Sequence, residues 1–201
     1  MTTVRLVIFA KAPLPGQVKT RLIPALGAAG AARLAERLLF NTIAKALAAD
    51  IGPVELCVSP APENAVWQAL ELPAELFWSD QGEGNLGERM ARVVQRVVAS
   101  GESVLLIGTD CPALDAAQLR DAAHALSTTD AAIAPAADGG YVALGLNRFH
   151  PHVFDDIAWS AETVATTTLA RLHEIGYRVH VLPVQHDIDR PEDLRWLPAT
   201  L

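Results

Sequence analysis

The chain has 201 residues, is 51% hydrophobic and 19% charged, and carries a formal net charge of −7; this excludes a disordered chain and suits one globular domain over residues 1–201 with a full core. The acidic balance excludes a general nucleic-acid binder, which would be basic. No apolar run reaches ~18 residues and no basic segment leads into a secretory-type apolar one, so the sequence reads as a cytoplasmic protein without a membrane segment.

Residues 4–10, VRLVIFA, form an apolar run of strand length that ends at a Pro- and Gly-rich loop. Leu34, Leu38, Leu39, Ile43 and Leu47 then recur at helical spacing within 28–49. VELCVS (54–59) predicts a second strand, ENAVWQAL (63–70) a second helix and AELFWS (74–79) a third strand. After the loop QGEGN (81–85), residues 86–100 predict a helix. SVLLIG (103–108) is the most apolar strand and is expected at the centre of a sheet, buried on both faces. A helix over 115–126 follows, then strands at 131–136 and 141–147 around a tight DGG turn. A helix over 161–176 closed by Gly176, a last strand at 177–184 and a helix at 190–197 complete the chain. Strands alternating with helices specify an α/β fold, three layers with a mostly parallel sheet in the middle. Cys57 and Cys111, too few for a disulfide framework or a zinc cluster, read as buried small hydrophobes.

In such a sheet the ligand crevice lies outside the carboxyl ends of the strands. The loop after the first strand holds Lys11, Lys19 and Arg21, among them two of the chain's three lysines. Residues 1–35 contain five Lys or Arg and no Asp or Glu, so nothing local neutralises that loop. Backbone N–H groups near Gly16, two ammonium point charges and a guanidinium fork suit phosphate. The loop lacks the G-x-x-x-x-G-K-[ST] pattern of ordinary P-loop enzymes and is too charged for a dinucleotide turn.

GTDCPALD puts Asp110 at the end of the buried strand, where a carboxylate is costly unless it meets a metal, a cation or backbone N–H groups. The plainer reading of Asp110 is a cap for the helix that follows. ADGGY supplies Asp138 and permissive backbone at a strand end. Asp187 and Asp189 follow the last strand; two apart in extended chain, they are expected to point to opposite faces, one into the crevice and the other capping the helix begun by Pro191. Cations and carboxylates converging on one edge suit a phosphorylated ligand bridged by a divalent metal. His150 and His152 lack a nearby third ligand and read as exposed loop histidines.

In chain order, FAKAPLPGQVKTRL, NLGERM, LIGTDCPAL, PAADGGYVALGL, IAWS and DIDRPEDL cover nearly the whole sequence. Together they resemble a bacterial family of small proteins with the GT-A, or nucleotide-diphospho-sugar transferase, fold, described as glycosyltransferase-like. The first block is also similar to that of the phospholactate and molybdenum-cofactor guanylyltransferases. The resemblance implies Mg²⁺ (or Mn²⁺) and a crevice that takes a nucleotide sugar or nucleoside triphosphate plus a small-molecule acceptor. It assigns Lys11, Gly16, Lys19, Arg21 and Arg89 to the nucleotide phosphates and Asp110 and Asp187 to the metal, with Lys19 and Asp110 as the catalytic groups. It also assigns Asp138, Gly139, Gly140, Tyr141, Trp159 and Ser160 to the acceptor or sugar side.

Two features differ from the relatives: Ala161 stands where a threonine often follows the serine, and GTDCP is not the D-x-D of many glycosyltransferases. The family description implies glycosyl transfer first, and the triphosphate-like loop implies nucleotidyl transfer second. A non-catalytic nucleotide-binding protein that kept the crevice is a third class.

Overall fold

A computed structural model describes residues 3–159 and 161–199. Seven strands, β1 (Val4–Lys11), β2 (Val54–Ser59), β3 (Phe77–Asp80), β4 (Ser103–Ile107), β5 (Ala131–Pro135), β6 (Tyr141–Leu146) and β7 (Val179–Val181), join in the order β3-β2-β1-β4-β6-β5-β7. All pairings are parallel except those of β6, which runs antiparallel to β4 and β5. The reason is the link: residues 136–140 alone join β5 to β6, whereas a parallel crossover needs a dozen residues or more. β4 lies in the middle of the sheet with every residue buried, as its apolar sequence predicts.

The two-residue strand period sends alternate side chains to two cores. Leu6, Ile8, Leu105 and Ile107 pack under α1 (Ile23–Ala49) and α4 (Ala116–Ala125). Val7, Val104 and Leu106 pack against α3 (Leu86–Ala99) and α5 (Val164–Glu174) through Met90, Val94 and Leu172. Fully burying each such aliphatic side chain contributes about 1.5–3 kcal/mol. A third cluster joins Leu22, Leu34 and Leu38 to Ile188, and so clamps the end of the first loop beneath the last one.

Several elements depart from their sequence-based bounds. α1 starts at Ile23 and is kinked at Gly27, whose φ of 70° no other residue adopts easily. α2 (Ala65–Gln68) is a single turn, and α5 starts at Val164. β7 is short because Pro135 on its neighbour β5 has no N–H with which to continue the ladder; among the described residues the bridge Ala136–Gln185 extends the pairing beyond it. The closing helix is a 3-10 segment, Pro191–Trp196. Among the described residues, no helix is long and apolar enough to cross a membrane.

The sheet also buries a charge. Glu55 on β2, its side chain 3% exposed, meets Arg96 through both carboxylate oxygens, accepts from Ser79 Oγ at 2.5 Å and lies 3.5 Å from Arg5 Nη1. Arg5 is itself held by Glu102 at 2.8 Å.

Candidate functional site

The parallel strands β1, β4, β5 and β7 end at one edge, antiparallel β6 begins there, and α3 follows β3 from it. At this edge Lys19 is buried, its side chain only 5% exposed, in the left-handed region at φ 48°. That conformation costs a residue with a side chain roughly 1–2 kcal/mol. Two partners hold it: Nζ sits 2.8 Å from Asp110 Oδ1 and donates to the carbonyl of Ile188. The Ile188 amide donates in turn to Asp110 O at 2.8 Å. Lys19 thereby ties the loops after β1, β4 and β7 into one unit.

Asp138 and Asp187 complete the edge. Asp138 Oδ1 accepts from the Gly140 amide at 2.8 Å, and Gly139 takes φ 92° to close the turn. A Cβ on Gly139 would fall 2.0 Å from the Glu162 carbonyl, so only glycine fits. The chain after β7 continues beside β5, with Gln185 N bonded to Pro135 O and Ala137 N to Gln185 O. This carries Asp187 to the carboxyl end of β5. Burial pushes the Asp187 carboxyl above its ordinary range, and the Asp138 and Asp110 carboxylates push the same way, with Lys19 opposing. Asp110 stays half exposed. The edge is therefore short of positive charge.

Two clefts open on either side of these carboxylates and share Arg21, Asp138, Asp187 and Asp189. One, of about 350 Å³, is walled by Phe9, Leu86, Met90, Leu106, Tyr141, Trp159 and Val164. The other, of about 320 Å³, is polar, lined by Arg190, Arg195, Glu162, Glu192 and a stacked His186–Trp196 pair with centroids 4.1 Å apart.

Asp110, Lys19, Asp138, Asp187, Arg21, Gly140, Tyr141 and Trp159 thus gather at one edge. Gly139 shapes it from behind. Lys11 is exposed at the end of β1 and Gly16 lies at φ 78° in open space; neither lines either cleft. Arg89 is engaged elsewhere, donating to Gly84 O at 2.8 Å and Gln81 Oε1 at 3.3 Å to hold the loop before α3. Ser160 lies outside the described residues.

No acid near in sequence neutralises the cationic loop, as expected; Lys19 and Arg21 meet distant partners, Asp110 and Asp189. Two expectations need correction. Asp187 and Asp189 do not point apart; residues two apart in extended chain share a face, and here the buried Ile188 between them leaves both lining the clefts. Neither Asp189 nor Asp110 caps a helix: Asp193 accepts from the Asp189 and Arg190 amides, and Asp115 forms a capping box with Gln118.

Other residues that build the edge escaped notice in the sequence. Lys45 donates to Pro112 O and pins the turn after Asp110; burial pushes its pKa down. Gln81 donates to Ala10 O and Cys57 O, both at 3.1 Å, joining the ends of β1 and β2. A Cβ on Gly87 would fall 2.5 Å from Trp159 Nε1, so this glycine seats the indole. Only NLGERM hinted at Gly87, and no spacing signal marks the other two. The cysteines are free and buried, as expected, and burial pushes the Cys57 thiol up to about 11.

The donor chemistry at the edge fits a hard divalent cation. Among the described residues no three His, Cys, Asp or Glu side chains already form a metal-holding group. Asp110 and Asp187, two carboxylates in one repulsive field, match the habit of Mg²⁺, which takes one or two carboxylates and fills its shell with substrate phosphate and water.

No curated protein matches the sequence. A crystal structure from Desulfovibrio desulfuricans G20, described as a "putative nucleotide-diphospho-sugar transferase", superposes with TM-score 0.90 at 32% identity, covering 100% of this chain and 88% of that one. Rv0371c of Mycobacterium tuberculosis H37Rv, in complex with manganese, gives TM-score 0.56 at 20% identity over the full length of both. A CMP:2-keto-3-deoxy-manno-octonic acid synthetase complexed with CTP gives 0.57 at 10%, covering 97% and 96%. At such identities the latter two show the fold alone. Residues 42–161 match the family described as "uncharacterized protein conserved in bacteria (DUF2064)". The chain belongs to that DUF2064 family and has the nucleotide-diphospho-sugar transferase fold.

Proposed function

We propose that the protein is a divalent-metal-dependent transferase that takes a nucleotide sugar and passes its glycosyl group to a small-molecule acceptor, as one domain working in the cytoplasm, where its free buried thiols would stay reduced. The observation that carries this reading is the meeting of Asp110, Asp138 and Asp187 with the buried ammonium of Lys19 at the carboxyl edge. Asp110 and Asp187 would hold Mg²⁺ or Mn²⁺, which when bound supplies positive charge against the leaving diphosphate. The manganese complex of the mycobacterial neighbour supports a divalent ion.

Lys19 and Arg21 are the cations nearest these carboxylates, and both have carboxylate partners that phosphate oxygens can replace. Lys11, Gly16 and Arg89 stand farther out and would meet only the outer part of a nucleotide. In the transfer, an acceptor oxygen bonds to the anomeric carbon as the bond from that carbon to the diphosphate breaks. The diphosphate leaves with the bonding pair, and the acceptor proton goes to solvent. Fixed geometry supplies much of the acceleration.

Nucleotidyl transfer is the second reading, supported by the CTP complex of a protein with the same fold. Product analysis separates them. With a nucleotide sugar, Mn²⁺ and an acceptor mixture, release of nucleoside diphosphate is expected. Pyrophosphate from a nucleoside triphosphate would establish the second reading, and neither product would leave a non-catalytic binder.

A further inference from the structure

We propose that the 350 Å³ cleft is the acceptor subsite and that the acceptor is a molecule with an apolar body, aromatic or aliphatic, ending in one hydroxyl. This rests on the transferase reading above and names the substrate class of that site. The cleft is divided by chemistry. Phe9, Met90, Leu106, Trp159 and Val164 make hydrocarbon walls, whereas Asp110, Asp138, Asp187 and the Arg21–Asp189 pair supply the charged lining. Among the described lining residues the one hydroxyl is Tyr141's, and it is turned onto Met90 Sδ at 3.7 Å.

A sugar lying against the hydrocarbon walls would leave the hydroxyls that face carbon without partners, each at a desolvation cost. An apolar body loses nothing of that kind and covers exposed Leu86 and part of Trp159. Its single hydroxyl would reach the carboxylates, where the donor's reacting carbon is expected. The wall is also built to last: Trp159 occupies the space above Gly87 that any side chain there would claim. The volume lies at the small end of ligand pockets, enough for a compact ligand.

Saturation-transfer NMR on the intact chain tests this with 4-phenyl-1-butanol as the apolar alcohol, glucose as the polyol and UDP-glucose with Mn²⁺ as the donor. Two variants block the cleft from its rim: Ala161→Phe fills it and Leu86→Glu places a charge in it. The expected result is saturable binding of the alcohol but not of glucose, undiminished when UDP-glucose is also bound. Both variants should weaken alcohol binding roughly tenfold or more and leave UDP-glucose binding unchanged.

Preferential binding of glucose overturns the proposal, as does alcohol binding that both variants leave untouched. Displacement of the alcohol by UDP-glucose would give the cleft to the donor instead. UDP-glucose binding with no alcohol binding sinks this inference alone. Alcohol binding with neither UDP-glucose nor CTP bound in the presence of Mn²⁺ sinks the transferase reading, and the acceptor assignment with it.

Discussion

Glu55 and Asp187 are both carboxylates withdrawn from water, and the protein treats them in opposite ways. Glu55 is more deeply buried, yet two guanidinium groups and a serine hydroxyl surround it. Asp187 is less buried but faces two further carboxylates, with Lys19 as the opposing charge. A structural charge is balanced from within the fold. The charge at the edge is left short, as the proposed ligand role of Asp187 requires. The left-handed Lys19 and the glycine-only turn at Gly139 both lie at the acidic edge.

Removing the balance around Glu55 should have the largest effect on stability. The double substitution Arg5→Met with Arg96→Met strands the buried carboxylate with Ser79 alone and is expected to cost about 3–5 kcal/mol, read from the midpoint of urea unfolding. A loss below ~1 kcal/mol would mean that water reaches Glu55, and the contrast with Asp187 would weaken.

Gly139→Ala comes next. Its Cβ would collide with the Glu162 carbonyl and its φ is unsuited to alanine, so a loss of about 1–3 kcal/mol is expected together with weaker ligand binding. Unchanged melting would show that the turn can relax and does not set the edge.

The smallest effect has the opposite sign. A carboxyl whose pKa is raised by folding contributes stability that is fully present below its unfolded pKa and is lost as pH rises through the folded one. Ionised Asp187 therefore destabilises the metal-free protein at neutral pH. Asp187→Asn should raise the melting temperature at pH 7, within the ~0.5–2 kcal/mol of single stabilising changes. The gain should fade as pH falls through the raised native pKa and be gone below about 4, the ordinary value of an unfolded aspartate. Destabilisation at pH 7 in metal-free buffer would mean that Asp187 has a partner of its own.

Much of the fold was legible because the signals are local. The run 104–107 is apolar at every position, and β4 lies in the middle of the sheet. The link between β5 and β6 is too short for anything but a reversal. Single-turn α2, short β7 and the 3-10 end were less so, since Pro135 and tertiary packing override a pattern that still reads as strand or helix. At the site, residue types could be read at strand ends, so the convergence of Asp110, Asp138 and Asp187 on one edge was legible. Their partners were not. Arg21 and Asp189 are 168 positions apart, and an acid-free stretch of chain says nothing of the acids folded against it. Lys45 and Gln81 act through backbone carbonyls, and no side-chain motif records that.

The central claim is that the edge formed by Asp110 and Asp187 lacks a cation that a divalent metal supplies. Thermal unfolding of metal-free protein, titrated with Mn²⁺ in the presence and absence of UDP-glucose, tests it most directly. The wild type should gain about 2.7 kcal/mol when free ligand reaches one hundred times its Kd. Asp110→Asn and Asp187→Asn should each lose most of that gain, while Glu55→Gln, whatever its own stability, should keep it. A metal-dependent gain that survives in both aspartate variants would contradict the account.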